Sequence, residues 1–226
     1  MPAALYIVGT PIGNLDDLTY RAARIIQEAD VIAAEDTRRA GILLQHIGVK
    51  KPLVSYHSHN EHRKTADLLD RVEDGQTLAL LTDAGMPVIS DPGFLLVRDA
   101  VARGIVPVVI PGVSAVTTAV AAAGLPAHEF LFAAYLPPKG EKRRTQLRRM
   151  LDGCCTVVLF ESPHRVDKLL ADIIAVAPDA DVALMRELTK LHEEHLRGKP
   201  ADLLAAHADR KWRGEFTVVI HAKPAE

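Results

Sequence analysis

The sequence predicts an α/β protein whose first half builds a mostly parallel sheet. Three observations carry this. Short apolar runs, Leu5–Val8, Val31–Ala34, Leu53–Tyr56, Leu78–Leu81 and Val106–Ile110, each have the length of one buried strand. Segments with helical spacing separate them, and alternating strand and helix give parallel strands joined by right-handed crossovers. Nearly every run breaks into a turn of Gly, Pro or Asp. The sharpest break lies in residues 78–93, where Leu-Ala-Leu-Leu opens into Thr-Asp-Ala-Gly-Met-Pro and then into Ser-Asp-Pro-Gly. Such C-terminal strand ends are where α/β proteins bind ligands. Two acidic turns so close together mark a cofactor or substrate rim; the plainer alternative is a pair of Asx turns capping the next helix.

At 226 residues the chain suits one large domain or two of roughly 110 residues. Apolar residues make up 48% and charged residues 25%, which excludes a disordered chain. The formal net charge is −2, so any nucleic-acid contact must come from a local patch. The two cysteines, Cys154 and Cys155, are adjacent and would make a strained bridge. A structural disulfide or Cys-type zinc site is therefore not expected, which fits a reducing cytosol. The first run is strand-like without a basic leader, and no apolar run reaches about 18 residues, so a soluble cytoplasmic protein is expected.

Taken in order, Leu5–Val8 ends at Gly9-Thr10-Pro11-Ile12-Gly13-Asn14. Behind it Leu15, Leu18, Ala22, Ile25 and Ile26 recur at helical spacing, with Asp16 and Asp17 at the end that favours negative charge. The loop lacks both G-x-G-x-x-G and the phosphate-loop pattern, and Pro11 removes an N–H a phosphate cradle uses, which argues against a dinucleotide or triphosphate site. Val31–Ala34 closes on Glu35-Asp36-Thr37-Arg38-Arg39. This is either a helix cap by Asp36 or Thr37 or a substrate-facing cluster on the rim of Asp83. Residues 40–48 read as helix. Leu53–Tyr56 opens into His57-Ser58-His59-Asn60-Glu61-His62-Arg63, whose spacing suits a polar loop better than zinc. Helices over 64–73 and 94–103 follow. Val106–Ile110 ends at Pro111-Gly112-Val113-Ser114-Ala115, before a helix of small residues, Val116–Ala123, able to approach a sheet or a flat ligand closely. Leu125-Pro126 is the expected boundary between a domain of residues 1–125 and one of 126–226.

The second half repeats the rhythm without repeating the sequence. Its most unusual segment is Lys139-Gly140-Glu141-Lys142-Arg143-Arg144-Thr145-Gln146-Leu147-Arg148-Arg149, with six basic residues and one acid. Acids for i,i+4 pairing on a solvated face are missing, so the segment is expected to meet a polyanion, RNA foremost. A strand over Thr156–Phe160 closes on Glu161-Ser162-Pro163-His164-Arg165. A helix at 166–175 and a strand at 181–185 lead into Arg186-Glu187-Leu188-Thr189-Lys190. The last strand, Phe216–Ile220, follows Gly214-Glu215.

Several turns together form a set: Gly-Thr-Pro-Ile-Gly-Asn at 9–14, Ala-Glu-Asp-Thr-Arg at 34–38, residues 82–93, Pro-Gly-Val-Ser-Ala at 111–115, Glu-Ser-Pro-His-Arg at 161–165 and Arg-Glu-Leu-Thr-Lys at 186–190. The set resembles the bacterial small-subunit (16S) ribosomal RNA cytidine 2′-O-ribose methyltransferases, of the tetrapyrrole-methylase-like superfamily, over nearly the whole chain. It departs at Thr82, where Ser is usual, and at Ala134-Tyr135 before Leu136-Pro137, where Gly-Phe is more common. The resemblance implies two α/β domains, the second with a mixed sheet, a cofactor cleft between them, and a homodimer. It also implies S-adenosylmethionine as donor and 16S ribosomal RNA or the small subunit as substrate, with no structural metal. Carried over, the donor meets Pro11, Ile12, Asp83, Gly85, Met86, Ser114 and Ala115, with Leu136, Ala183, Glu215 and Thr217 from the second domain. Lys139, Lys142, Arg143, Arg144, Arg148 and Arg149 are the expected RNA contacts.

Methyl transfer to a ribose hydroxyl is an in-line displacement in which positioning does most of the work, and the hydroxyl must lose its proton near transfer. Glu35, Asp36, Arg38, Glu161, His164 and Arg165 are the catalytic candidates, with the base unassigned and Glu187 and Lys190 also on strand ends. The plainer alternative is ion pairing between these clusters. Two other functions stay open: C-methylation of a tetrapyrrole precursor, its carboxylates gripped by the basic segment, and RNA binding without catalysis.

Overall fold

The computed structural model describes residues 4–153 and 156–222. Cys154 and Cys155, and with them the reading of their chemistry, lie outside the described residues. The chain divides into two compact units, one up to Ser114 and one from Ala115 onward.

The first unit runs β1 (Ala4–Val8), α1 (Tyr20–Glu28), β2 (Val31–Ala34), α2 (Thr37–His46), β3 (Leu53–Ser55), α3 (Glu61–Glu73), β4 (Thr77–Leu81), α4 (Phe94–Ala102) and β5 (Val108–Ile110). Its sheet has the order β3-β2-β4-β1-β5 with every pairing parallel. Both faces are covered, which is why its strands read as unbroken apolar runs. Alternation sorts the side chains. Tyr6, Val8, Ile32, Ala34, Ala79 and Leu81 pack with Ile25 and Ile26 of α1 and Leu43 and Leu44 of α2. Leu5, Ile7, Val31, Ala33, Leu78 and Leu80 pack on the other face with Leu68 and Leu69 of α3 and Leu96 of α4. The first helix starts later than its apolar spacing implies. Thr19 accepts a hydrogen bond from the Ala22 amide (3.0 Å) and starts α1 at Tyr20, while Leu15–Asp17 form a separate 3₁₀ turn capped by Asn14.

The second unit runs α5 (Ala115–Ala123), β6 (Leu131–Phe132), α6 (Gly140–Gly153), β7 (Thr156–Glu161), α7 (Val166–Val176), β8 (Asp181–Arg186), β9 (Glu194–Gly198), α8 (Pro200–Ala206) and β10 (Phe216–His221). Its sheet is mixed, in the order β6-β7-β10-β8-β9, with β6 parallel to β7 and the remaining pairs antiparallel. One face, with Val157, Leu159, Leu184, Val218 and Ile220, packs on α6, α7 and α8. The small-residue helix α5 packs against β7, β8 and β10 of this sheet, so it falls in the second unit, whereas a boundary at Leu125-Pro126 places it in the first. β9 and α8 have no counterpart in the sequence reading. The strand is Glu-His-Leu-Arg-Gly, a polar edge strand without an apolar run, and the helix is only seven residues long. Among the described residues no helix is long and apolar enough to cross a membrane.

Candidate functional site

In the first unit three loops meet at the C-terminal ends of β1, β4 and β5. Thr10 and Gly85 form an antiparallel bridge, Thr10 N to Gly85 O at 2.9 Å and Gly85 N to Thr10 O at 3.1 Å. Gly9 and Gly112 approach backbone to backbone: a Cβ on Gly9 would lie 2.7 Å from the Met86 sulfur and 2.8 Å from Gly112. Gly85, at φ +80°, turns the acidic loop back over Ile12. Pro11, Ile12, Asp83, Gly85, Met86 and Ser114 are thus brought into one loop cluster. Ala115 opens α5 and belongs to the second unit.

Because β2 and β4 are sheet neighbours, Glu35 and Asp36 share this rim with Asp83. Asp83 accepts a hydrogen bond from the Asp36 amide (3.0 Å) and lies 3.4 Å from Nε of Arg39. Asp36 itself is the cap of α2: it accepts from the Arg38 amide (2.8 Å) and pairs with the Arg38 guanidinium (2.6 Å). Those bonds hold its carboxyl well below the usual range. Glu35 differs. Burial and then the charge of Asp83 raise its pKa, and its Oε2 is buried with no hydrogen-bond partner. Asp91 completes the cluster. Burial first, then the charges of Glu35 and Asp83, push its carboxyl up to about 6, against the Thr82 hydroxyl. It sits in a turn where Val88 (φ 77°) and Ser90 (φ 65°) are left-handed without being glycine, backbone strain of the kind stored at functional sites. Arg39 and Asp91 lie in the charged run and the second acidic turn that the sequence marked as a rim, but neither was among the expected site residues. The second acidic turn was visible, but its neighbours depend on which strands lie side by side. Among the described residues no group of three or more His, Cys, Asp or Glu side chains is arranged to hold a metal ion.

In the second unit the Glu161 carboxylate is buried and accepts from the Ser162 amide (2.8 Å). It pairs with Arg165 at 3.1 Å, and Arg165 donates to the carbonyls of Leu136 (2.7 Å) and Pro137 (3.4 Å). Both ion-pair candidates therefore close within their own cluster, Asp36 on Arg38 and Glu161 on Arg165. His164, in the same turn, is exposed. Lys190 bridges Glu187 (3.0 Å) and Glu215 (2.6 Å); burial opposes its charge, but these bonds outweigh it and raise its pKa. Leu136 lies in the apolar core, Ala183 and Thr217 are buried in the sheet, and Glu215 is exposed.

The basic segment forms most of α6, and here one expected RNA contact is corrected. Arg143 is 3% exposed, and its guanidinium pairs with Asp172 of α7 and donates to the Lys168 carbonyl. It is a core ion pair, out of reach of a polyanion. Arg144 is half-buried and pairs with Asp172 (3.0 Å) and Glu141 (2.6 Å). Asp172 supplies an acid across the helix pair, in addition to Glu141 along the helix. Lys139, Lys142, Arg148 and Arg149 are exposed and form no ion pair with other described residues.

A parallel sheet with its loops gathered at one set of strand ends, followed by a mixed-sheet unit, is an α/β architecture shared with solved methyltransferases. A solved structure of uroporphyrin-III C-methyltransferase from Thermus thermophilus, complexed with S-adenosyl homocysteine, matches at a TM-score of 0.66. It is 17% identical and covers 96% of this chain and 97% of that one. Diphthine synthase matches at a TM-score of 0.73 with 16% identity, over 99% and 92%. The chain belongs to the tetrapyrrole (corrin/porphyrin) methylase family, whose model matches residues 4–204. It is similar to the ribosomal RNA small subunit methyltransferase I of Thermotoga maritima, 43% identical over 219 residues, covering 97% of this chain and 98% of that one. The protein of the same name from Escherichia coli O157:H7 is also 43% identical, over 98% of this chain and 79% of its own.

Proposed function

We propose that this protein methylates small-subunit (16S) ribosomal RNA with S-adenosylmethionine as donor, at the 2′-hydroxyl of a cytidine. The observation that carries this is likeness over essentially full length to proteins named for that RNA, in a chain whose first unit gathers the expected donor loops at one set of strand ends. The loops suit such a donor. The carboxylate of Asp83 is an acceptor that a ligand rich in amino and hydroxyl groups satisfies. Pro11, Ile12, Asp83, Gly85, Met86 and Ser114 would hold it. Bound S-adenosylmethionine supplies a methyl group activated by a positively charged sulfur.

The remaining tasks fall to the chain. Glu35, Asp83 and Asp91 create a negative potential that favours a cationic ligand at this rim. Among the carboxylates proposed as base, burial raises the pKa of both Glu35 and Glu161, but Asp36 and Glu161 are committed to their arginines, whereas Glu35 has an oxygen with no partner among the described residues. Glu35 is accordingly the carboxylate able to take the hydroxyl proton. Lys139, Lys142, Arg148 and Arg149 contact RNA phosphates. The fuller reading places the protein in the cytoplasm as a homodimer, on the strength of the family resemblance; light scattering giving a single-chain mass would overturn the dimer. The activity is tested by incubating radiolabelled donor with unmodified small subunits. Label in RNA at a cytidine ribose, resistant to alkaline cleavage, is the expected result. Label only on a porphyrinoid, or none, sinks the proposal.

A further inference from the structure

Three aromatic rings gather where the parallel pair β6 and β7 ends, outside every contact used so far. Phe132 meets Phe160 edge-on with centroids 5.0 Å apart, and Tyr135 lies 5.8 Å from Phe160. Tyr135 is 59% exposed. The backbone beneath it is held at some expense. Ala134 is left-handed at φ 49°, a conformation L-residues avoid, and its carbonyl accepts from the Phe160 amide at 2.8 Å. On the other side, the buried Glu161–Arg165 pair clamps the Leu136 carbonyl to the end of β7. The residues on either side of Tyr135 are thus pinned while its ring, packed beside Phe160, keeps more than half of its surface exposed, as a rigid binding platform requires and a mobile surface residue does not. Lys139 follows four residues later, no more than about 14 Å of chain away, and Lys142 lies one helical turn further; both are exposed.

A flat aromatic face followed within a few residues by exposed lysines that form no ion pair with other described residues is the chemistry of single-stranded nucleic acid: a base stacks on the ring while the lysines meet its phosphates. Building on the RNA-substrate reading above, we infer that Tyr135, backed by Phe160 and Phe132, is a stacking platform for an unstacked base of the RNA substrate. Glu161 and Arg165 then act as positioning residues for the platform.

The test is fluorescence anisotropy with a labelled, cytidine-containing single-stranded RNA and the same strand in a duplex. Tyr135→Ala is expected to weaken single-strand binding roughly tenfold or more, with little effect on the duplex. The slope of log affinity against log salt should stay unchanged, because no phosphate contact is removed. Tyr135→Phe keeps the flat face and should bind as wild type; Tyr135→Leu keeps the apolar bulk alone and should behave as Ala. An unchanged urea midpoint for Trp212 fluorescence confirms that the variants fold. Wild-type affinity in Tyr135→Ala or Tyr135→Leu, equal losses on both strands, or a loss carried by a changed salt slope would each overturn the platform. If the wild-type protein neither binds RNA nor labels ribosomal RNA, the RNA-substrate reading falls and the platform with it. If it labels RNA while Tyr135→Ala binds normally, the platform alone falls.

Discussion

Asp172→Ala separates a core ion pair from a surface contact. Asp172 is 4% exposed and Arg143 3%, and Asp172 also accepts from Arg144. Removing the carboxylate strands a buried guanidinium whose Nη1 already lacks a partner, leaving the Lys168 carbonyl as its acceptor. Breaking one partner of such a pair costs about 3–5 kcal/mol. The readout is built in. Trp212 is the chain's one tryptophan, lies in the same core, and donates its indole N–H to Asp167 on the same helix as Asp172. With a urea m-value of about 2 kcal/mol/M, the Trp212 midpoint should fall by roughly 1.5–2.5 M. The double substitution Arg143→Met with Asp172→Leu fills the space without charge and should return to within about 1 kcal/mol of wild type. A midpoint shift below about 0.3 M in Asp172→Ala would falsify the buried-pair account. A double variant as unstable as the single one would do the same.

Other consequences follow from the same structure. Gly112→Ala places a Cβ about 3.0 Å from the Gly9 backbone. It should destabilise the first unit by about 1–3 kcal/mol in denaturation followed by circular dichroism, and weaken donor affinity by calorimetry; unchanged donor affinity would mean the loop cluster does not hold the donor. Asp91, raised to about 6 in the folded protein, loses its proton near pH 4 in the unfolded chain, so its stabilising contribution is present at low pH and lost as pH rises through 6. Asp91→Asn should match wild type near pH 4 and exceed it near pH 8 by about 1 kcal/mol, discounted for solvent at this half-buried site; the reverse ordering would contradict the carboxylate cluster. Lys142→Ala with Arg148→Ala and Arg149→Ala should flatten the salt dependence of RNA binding by roughly one slope unit per lost phosphate contact and leave donor binding intact. An unaltered slope removes α6 from the RNA interface.

The parallel sheet was legible because its strands are buried on both faces and end in turns that cannot continue a strand. The rim was legible in part for the same reason, since the Glu35 and Asp83 turns each follow an apolar run. What stayed hidden depends on pairing between distant segments. Nothing local tells that Asp91 faces Glu35, or that Asp172 reaches across from α7 to neutralise Arg143. Thr19 overrides a helical spacing through one hydrogen bond, and β9 is held by its partner β8 rather than by its own composition. The Ala134-Tyr135 departure from the family pattern was visible, whereas its left-handed backbone was not.

Each sheet uses strands consecutive in the chain, β1 to β5 in one and β6 to β10 in the other, with no strand exchanged. The first sheet needs nothing synthesised after β5 to complete its pairings. It can close on a nascent chain while the second half is still being made, so its long-range parallel contacts are not contested by strands that emerge later.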